Sequence, residues 1–289
     1  MDISGKTRVC GVIGDPIEHT LSPTIQNAAF NHLKLDFVFL AFRVKAADLK
    51  NAVNGIRSLG VHGLNVTMPH KSTVIGCLDE VDSTVKFLSS TNTILNRNGR
   101  LSGFSTDGVG ALKSLRENGV GLSGKKVLLL GAGGAAKAIA FAFVQEVGEL
   151  AILNRTSEKA EELAETLGQM CNCKVVGDAL SPDAIAEHLR DSDVLVNATS
   201  AGMKPNLSQS LVAPEWLRSD LVLMDIVYNP VETKLAKDAK AAGAKVINGV
   251  EMLIYQGAAS FEIWTGRSAP IGVMRKAALN KLSNTGESK

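Results

Sequence analysis

With 289 residues, the chain is long enough to bury a substantial core and to form two domains. Apolar residues make up 45% of it and aromatic residues only 4%, which favours an α/β protein rich in aliphatic side chains over an all-β sandwich. The formal charge of +2 is small and basic residues form no sustained run, so the composition argues against nucleic acids and membrane surfaces as partners.

The first hundred residues alternate between strand and helix patterns. The predicted elements are strands Arg8–Gly14, Asp36–Val44 and Val61–Val66, helices Pro23–Leu33 and Ala47–Leu59, and a further helix that opens at Pro69–Cys77. Two segments, Asn92–Asn96 and Leu101–Phe104, then flank Arg97-Asn98-Gly99-Arg100. Because Asn-Gly favours a tight turn, this pattern predicts a β-hairpin.

A second α/β run follows an amphipathic helix, Val109–Glu117, and a glycine-rich break over residues 118–124. Its predicted strands are Lys126–Leu130, Leu150–Asn154, Lys174–Val176, Asp193–Asn197 and Leu221–Val227. Its predicted helices are Ala135–Val147, Ser157–Leu167, Pro182–Leu189 and Thr233–Ala242. This alternation predicts a parallel sheet covered by helices on both faces.

The remaining segments, Val250–Trp264 and Pro270–Leu282, are predicted helices that return to the first domain. We therefore expect a two-domain α/β protein in which residues 1–107 together with 250–289 form one discontinuous domain and residues 108–249 form the other. The tail Ser283–Lys289 is predicted to be disordered.

A glycine-rich turn follows the first strand of the second run. Gly131-x-Gly133-x-x-Ala136 lies between an apolar strand and a helix, which is the context of a Rossmann-like dinucleotide-binding domain. The two glycines permit a tight turn and a close backbone approach to a pyrophosphate, and the helix N-terminus offers free N–H groups to the anion. The alternative is a structural turn in an α/β domain that binds no nucleotide.

The end of the next strand indicates which dinucleotide binds. An NAD-binding unit usually carries an acidic residue there, whereas this chain has Asn154-Arg155-Thr156. Arg155 can bind a 2′-phosphate through charge-assisted hydrogen bonds, and Thr156 adds a hydroxyl. We therefore predict NADP as cofactor, against the alternative of a solvated arginine before a capped helix. A later strand ends in Asn197–Gly202, at the edge where cofactors lie in such sheets.

The segment Asn65-Val66-Thr67-Met68-Pro69-His70-Lys71 places a lysine at a strand end beside side chains that can bind hydroxyl groups. Asp107, in Thr106-Asp107-Gly108, offers a carboxylate to pair with Lys71. A lysine oriented by an aspartate can serve as a general acid–base at a carbonyl group. In the alternative interpretation, Lys71 is a surface lysine and Asp107 only caps a helix.

Two hydroxyl residues precede the first predicted helix. Ser22 stands before Pro23 and suits a helix N-cap. Together with Thr20, it also makes this helix start a candidate carboxylate site. The two interpretations are compatible, and the residues alone do not choose between them.

The remaining reactive residues give no metal or targeting signal. The cysteines, including the Cys171-x-Cys173 pair, are predicted to be reduced, and no metal site is expected because the histidines lack ligand spacing. No apolar stretch approaches the roughly 20 residues that span a bilayer, and the N-terminus lacks a secretion-signal core. We therefore expect a cytoplasmic protein.

These motifs resemble those of the shikimate dehydrogenase family, in the family's order, from Gly11 to about Trp264. The most specific is Asn65-Val66-Thr67-x-Pro69-x-Lys71. The supporting segments are Asn92-Thr93, Thr106-Asp107-Gly108, the Gly131–Ala136 turn, Asn154-Arg155-Thr156, Asp225-x-x-Tyr228-x-Pro230-x-x-Thr233 and Gly249-x-x-Met252-Leu253-x-x-Gln256.

The resemblance implies reversible, NADPH-dependent reduction of 3-dehydroshikimate to shikimate in aromatic amino-acid biosynthesis. It implies that residues 1–107 with 250–289 bind the substrate, that residues 108–249 bind NADP, and that Lys71 and Asp107 are catalytic. The substrate-binding residues that it implies are Asn65, Thr67, Asn92 and Gln256 for the ring hydroxyls, and Thr20, Ser22 and Tyr228 for the carboxylate. The cofactor-binding residues that it implies are Gly131, Gly133, Ala135, Ala136, Asn154, Arg155, Thr156 and Thr199, with Gly249 near the nicotinamide. The expected partners are this small substrate and either no other subunit or one copy in a homodimer.

Some positions depart from the family's usual pattern and leave two rival functions open. Thr20 replaces a commoner serine, Ser89-Ser90 replaces Gly-Ala, and Ser105 replaces an asparagine. These changes bear on substrate preference, so a quinate or dual quinate/shikimate dehydrogenase is the nearest alternative. A non-catalytic metabolite sensor is the more distant one, since the chain keeps both Lys71 and Asp107 and has no spare domain.

Overall fold

The computed structural model describes residues 3–286, which divide into two compact units. One unit comprises the described residues up to Gly110 together with those from Ile254 onward, and the other comprises Ala111–Leu253. The expected disorder of Ser283–Lys289 is wrong for its first part, because the last helix continues to Gly286. Residues 287–289 lie outside the described residues.

The first unit is built on a six-stranded mixed sheet. Its strands are β1 (Arg8–Gly14), β2 (Phe37–Arg43), β3 (Gly63–Val66), β4 (Glu80–Val81), β5 (Thr93–Arg97) and β6 (Arg100–Phe104). The helices that lie wholly within it are α1 (Ser22–His32), α2 (Leu49–Ser58), α3 (Ser83–Leu88) and α10 (Ile271–Gly286). The strand order is β2-β1-β3-β5-β6-β4, and β5 runs antiparallel to both of its neighbours while the other pairs are parallel.

The predicted hairpin is confirmed. β5 and β6 pair with Arg97 opposite Arg100, and the two residues between them, Asn98 and Gly99, have φ angles of 54° and 86°. Positive φ at both central positions is the type I′ geometry, whose twist matches that of the flanking strands. The hairpin places the end of β6 beside the start of β5, which positions the candidate site described below.

The helix predicted to open at Pro69–Cys77 is wrong, because only a short 3₁₀ helix forms, over Thr73–Cys77. Pro69 disfavours helical geometry in the residue before it. The β-branched residues 73–75 and Gly76 have low helix propensity. Residues 67–72 therefore remain a loop. β4 and α3 are also absent from the sequence prediction; each is too short to show a periodic pattern.

The end of α3 offers a test of stability. Ser89 follows this helix with φ 48° and ψ 38°, a left-handed conformation that costs a non-glycine residue about 1–2 kcal/mol. Ser89→Gly is therefore expected to stabilise the protein and to raise Tm by about 2–4 °C, measured by scanning calorimetry. Ser83→Gly, at the first turn of the same helix, is the control and should not raise Tm. A lower Tm for Ser89→Gly would contradict this explanation.

Side chains of the C-terminal helices complete the core of the first unit. The indole nitrogen of Trp264 donates a hydrogen bond to the carbonyl of Ile94 at 3.0 Å. A Cβ on Gly63 would lie 2.3 Å from that nitrogen, so glycine at this position of β3 allows the tryptophan to pack directly on the sheet. Phe261 and Phe30 stack with centroids 5.3 Å apart.

The second unit contains a six-stranded, wholly parallel sheet. Its strands are β7 (Lys126–Leu130), β8 (Glu149–Asn154), β9 (Lys174–Ala179), β10 (Val194–Asn197), β11 (Val222–Asp225) and β12 (Lys245–Ile247). Its helices are α5 (Gly134–Phe143), α6 (Ser157–Gly168), α7 (Pro182–Leu189) and α8 (Lys234–Ala241), while α4 (Asp107–Glu117) and α9 (Gly249–Thr265) each contain a boundary between the units.

The strand order of this sheet is β12-β11-β10-β7-β8-β9, with every pair parallel. The predicted parallel sheet is confirmed, with β12 added as a strand too short for its pattern to show. The order is that of a doubly wound dinucleotide-binding fold, and the order reverses between β7 and β10. Among residues 3–286, no helix is both long and apolar enough to cross a membrane.

Candidate active site

Lys71 and Asp107 are joined by a short ion pair in the first unit. The Lys71 Nζ atom lies 2.6 Å from Asp107 Oδ2, and the two side chains are 22% and 9% exposed. Asp107 is the first residue of α4, where the helix dipole favours a carboxylate. Lys71 is therefore paired and largely buried, which argues against the alternative of a surface lysine.

The backbone around Lys71 is fixed by two neighbouring segments. The Thr91 N–H donates to the carbonyl of Lys71 at 2.9 Å. The preceding residue, His70, is buried, and its Nε2 lies 2.6 Å from the carbonyl oxygen of Val44. The loop after β3 is thus held at both sides, which restricts where the lysine side chain can lie.

Asn92 holds the second oxygen of the aspartate. Its buried Nδ2 donates to Asp107 Oδ1 at 2.8 Å and lies 2.9 Å from Thr106 Oγ1. Its Oδ1 accepts a hydrogen bond from the Thr106 N–H at 2.8 Å. The same amide nitrogen lies 3.3 Å from Gln256 Oε1. One oxygen of Asp107 therefore faces Lys71 and the other faces Asn92, which fixes the plane of the carboxylate.

The strand register explains why these residues meet. Asn65 of β3 is opposite Thr93 of β5, and Thr93 is opposite Phe104 of β6. Thr106 and Asp107 lie two and three residues after the end of β6. Three segments that are distant in sequence are thereby brought together at one end of these strands.

Ser260 connects this cluster to α9 and was not identified from the sequence. Its hydroxyl lies 2.7 Å from Thr93 Oγ1 and 3.3 Å from Thr106 Oγ1, and Asn65 Nδ2 donates to it at 3.0 Å. The available signal was its spacing, because Gln256 and Ser260 are four residues apart and share one face of the helix.

Asn65 retains an unused acceptor. Its Oδ1 is buried and has no hydrogen-bond partner within residues 3–286. A buried carbonyl oxygen without a donor costs about 1–3 kcal/mol, so a ligand that supplies a hydroxyl donor there would recover this energy. The cluster thus combines a cation, a carboxylate and a free acceptor, which suits a polyhydroxylated carbonyl compound.

Thr20 and Ser22 lie together before α1. Their hydroxyl oxygens are 3.2 Å apart, and the Ser22 N–H donates to Thr20 Oγ1 at 3.2 Å. The prediction that Ser22 is the N-cap is wrong, because the helix already includes Ser22 and Leu21 occupies the cap position without a side-chain bond. The hydroxyl of Thr20 serves the helix start instead.

Thr67 lies close to this N-terminal loop because residue 14 is a glycine. The Asp15 N–H donates to the carbonyl of Met68 at 3.0 Å. A Cβ on Gly14 would lie 2.5 Å from Thr67 Cγ2. The absence of a side chain at Gly14 thus permits the loop after β1 and the loop after β3 to run side by side.

The glycine-rich turn of the second unit has the geometry of a pyrophosphate site. Gly131 has φ +111°, and a Cβ there would lie 2.9 Å from the carbonyl oxygen of Ala198. Gly133 occupies the N-cap position of α5 and provides no side-chain cap. Ala135 and the fully buried Ala136 follow in the first turn of α5. The first N–H groups of this helix are therefore available to an anion.

At the end of β8, one side chain hydrogen-bonds to the backbone and the next two residues are exposed. Asn154 Oδ1 accepts from the Ala132 N–H at 3.2 Å, and its Nδ2 donates to the carbonyl of Thr156 at 2.9 Å. Arg155 and Thr156 are exposed. Within the described part of the chain, no ion pair or hydrogen bond holds the guanidinium of Arg155.

A buried hydrogen-bond network shapes the edge at β10 and β11. Asp225 accepts from Thr233 Oγ1 at 2.6 Å and from Asn197 Nδ2 at 3.0 Å, and burial raises the pKa of its carboxyl. The Oδ1 of Asn197 in turn accepts from the Thr199 hydroxyl at 2.7 Å. Thr199 is therefore held in place by the side chain that ends β10.

Gly249 and Tyr228 lie in the same unit. A Cβ on Gly249 would lie 2.4 Å from the carbonyl oxygen of Ile226, so only glycine fits against the segment after β11. The Tyr228 hydroxyl is neutral at physiological pH because its usual pKa is about 10, and burial raises that pKa further.

The doubly wound sheet and the glycine-rich turn after its first strand define a dinucleotide-binding α/β protein. Family models cover most of the chain: the shikimate dehydrogenase substrate binding domain matches residues 12–94, shikimate/quinate 5-dehydrogenase matches residues 113–246, and the shikimate 5′-dehydrogenase C-terminal domain matches residues 249–279. The chain belongs to the shikimate dehydrogenase family.

Relatives match over nearly the full length of the chain. The shikimate dehydrogenase (NADP(+)) of Methanopyrus kandleri is 45% identical over 285 residues, which cover 98% of each chain. That of Thermococcus kodakarensis is 46% identical over 278 residues, covering 96% of this chain and 98% of the relative. A crystal structure of a shikimate dehydrogenase in complex with NADP+ superposes with a TM-score of 0.91 at 42% identity, covering 97% and 98% of the two chains.

Proposed function

We propose that the chain catalyses the reversible, NADPH-dependent reduction of 3-dehydroshikimate to shikimate. The observation that carries this proposal is the ion pair of 2.6 Å between Lys71 and Asp107 inside a cluster of hydroxyl-binding side chains. Membership of the shikimate dehydrogenase family supports the same reaction. The relatives described as shikimate dehydrogenase (NADP(+)) support it too.

The proposed chemistry needs one proton donor at the carbonyl oxygen. NADPH supplies a hydride when it is bound. The ammonium group of Lys71 donates a hydrogen bond to the substrate oxygen and then a proton as negative charge develops there. Asp107 orients the ammonium and accepts from a neighbouring substrate hydroxyl. Because Asn92 fixes the other carboxylate oxygen, the pair is set in position before the substrate arrives, as transition-state stabilisation requires.

We propose that the other polar side chains of the first unit hold the substrate. Asn65, Thr67, Asn92 and Gln256 are assigned to the ring hydroxyls, and the free acceptor of Asn65 supports this assignment. Thr20 and Ser22 are assigned to the carboxylate, for which two adjacent hydroxyls are suitable donors. Tyr228 is assigned to the carboxylate on the family resemblance, and its raised pKa is consistent with a donor role.

We propose that the second unit binds NADP. The geometry at Gly131 and the uncapped start of α5 suit a pyrophosphate. The free guanidinium of Arg155 suits a 2′-phosphate, with Thr156 beside it. The residues assigned to the cofactor are Gly131, Gly133, Ala135, Ala136, Asn154, Arg155, Thr156, Thr199 and Gly249. We further propose a cytoplasmic monomer or homodimer that has no nucleic-acid or membrane partner.

The function is tested by oxidising shikimate and quinate with NADP+ and with NAD+ in four parallel assays. The pair shikimate and NADP+ is expected to give the highest kcat/KM. Quinate carries an extra hydroxyl beside its carboxylate, and in the proposed assignment the methyl group of Thr20 lies beside that carboxylate. Faster turnover of quinate would replace the proposed substrate, and no turnover of either acid would reject the enzyme assignment.

Ser260 is expected to affect substrate binding without touching the cofactor. Ser260→Ala removes the hydroxyl that contacts Asn65 and Thr93. Loss of one such hydrogen bond costs about 1 kcal/mol, so KM for shikimate should rise about fivefold while KM for NADP+ stays unchanged. Thr265→Ala, on the same helix, is the control, since its hydroxyl donates only along α9 and to Arg267. An unchanged KM for shikimate in Ser260→Ala would contradict this role.

A further inference from the structure

We propose that Cys171 and Cys173 form a reactive dithiol site that exchanges with small-molecule disulfides and closes to an intramolecular disulfide. The two Sγ atoms lie 3.0 Å apart, only about 1 Å farther than the S–S bond of about 2.05 Å. Neither residue takes part in the proposed catalysis, so this inference is independent of it.

The local backbone suits a bridge between these two residues. They lie in the connection between α6, which ends at Gly168, and β9, which begins at Lys174. Two residues span at most about 7 Å when extended, and a bend at Asn172 and Cys173 shortens this distance. Disulfides form at Cα separations of about 4.4–6.8 Å, a range that two residues joined through a bend can reach.

The site is accessible to a small ligand. Both cysteines are only half-buried, and they line a surface cavity of about 590 Å³. The cavity is walled by two segments, residues 144–148 and 169–173. Cys10, in contrast, is fully buried in β1, and burial raises the pKa of its thiol. The chain therefore contains an unreactive thiol as an internal comparison.

Each thiol lies close to the other and to a backbone carbonyl, and Cys171 Sγ is 3.6 Å from the carbonyl oxygen of Cys173. Burial and the neighbouring Cys171 thiol raise the pKa of Cys173 to about 12, and Cys173 Sγ lies 3.4 Å from the carbonyl oxygen of Val144. The thiolate is the attacking species, and either thiol can make the first attack on a disulfide. Whichever thiol attacks first, the other lies within reach of the mixed disulfide, because the two Sγ atoms are 3.0 Å apart.

The exchange balances with oxidised glutathione as the oxidant. In one of the two possible orders, the Cys171 thiolate attacks one glutathione sulfur, the glutathione S–S bond breaks, and one glutathione leaves with a proton. The Cys173 thiolate then attacks Cys171 Sγ, the protein S–S bond forms, and the second glutathione leaves with a proton. Two protein thiols are oxidised and one disulfide is reduced to two thiols.

Oxidation is expected to leave turnover unchanged. Cys173 directly precedes the first residue of β9, whereas the Gly131 turn follows the last residue of β7. In a parallel sheet, the position before one strand and the position after another lie at opposite ends of the strands. The proposed disulfide between Cys171 and Cys173 therefore forms far from the proposed nucleotide site.

The test incubates the purified full chain with oxidised glutathione and follows free thiols and intact mass. Two of the four thiols should disappear with a loss of two hydrogens and no retained glutathione, and peptide mapping should join Cys171 to Cys173. Cys173→Ser should instead retain one glutathione on Cys171, and Cys171→Ser should retain one on Cys173, because neither variant can close the bridge. Wild-type protein that keeps all four thiols, accumulates stable glutathione adducts, or bridges another cysteine pair would overturn the proposal.

Discussion

Lys71→Ala is expected to lower kcat for shikimate oxidation by about 10²–10⁴-fold, the usual contribution of a general acid–base. The lysine is the cation of the 2.6 Å pair with Asp107, and alanine leaves no proton donor in its place. Affinity for NADPH, measured by fluorescence titration, should change little because the glycine-rich turn and Arg155 are untouched.

The matched control is Lys50→Ala, which removes an exposed lysine from α2. This variant should retain the kcat and the melting temperature of the wild type. If Lys71→Ala folds normally and keeps kcat within about threefold of wild type, well short of what an acid–base residue contributes, Lys71 is not the acid–base residue.

Arg155→Ala is expected to weaken NADPH selectively. Hydrogen bonds to charged groups contribute about 1.5–3 kcal/mol, and screening at an exposed site places the effect toward the lower end. KM for NADPH should therefore rise about tenfold or more, while KM for NADH stays unchanged. The measurement is a pair of steady-state titrations with the two cofactors.

Two further variants sharpen this prediction. Arg155→Lys should recover part of the NADPH affinity, because lysine keeps the charge but not the planar fork of donors. Arg190→Ala, which removes another exposed arginine of the same unit, should change neither KM. Equal losses for NADPH and NADH in Arg155→Ala would show that Arg155 does not bind the 2′-phosphate.

Features set by local chemistry could be predicted from the sequence. The run Lys126–Leu130 is a strand with the predicted bounds, because an apolar segment between turn residues has few other options. The Asn98-Gly99 hairpin formed as expected, since the turn type depends on only two residues. The glycine-rich turn could also be located, since its glycines lie close together in the sequence between a strand and a helix.

Features set by long-range pairing could not be predicted. The mixed order of the first sheet depends on β5 entering antiparallel between β3 and β6, and no local pattern encodes that choice. Ser260 belongs to the candidate site only because α9 packs its hydroxyl against Thr93. The start of α1 also differed, but for a local reason, because the Ser22 N–H bonds to the hydroxyl of Thr20.

The most direct test of the central claim is a double-mutant cycle on Lys71 and Asp107. The single-turnover rate of shikimate oxidation is measured for Lys71→Ala, Asp107→Asn and the double variant at saturating substrate and NADP+. If the two residues act as one unit, the double variant will be about as slow as the slower single variant. Rate losses that multiply in the double variant would show that the residues act independently and would contradict the account.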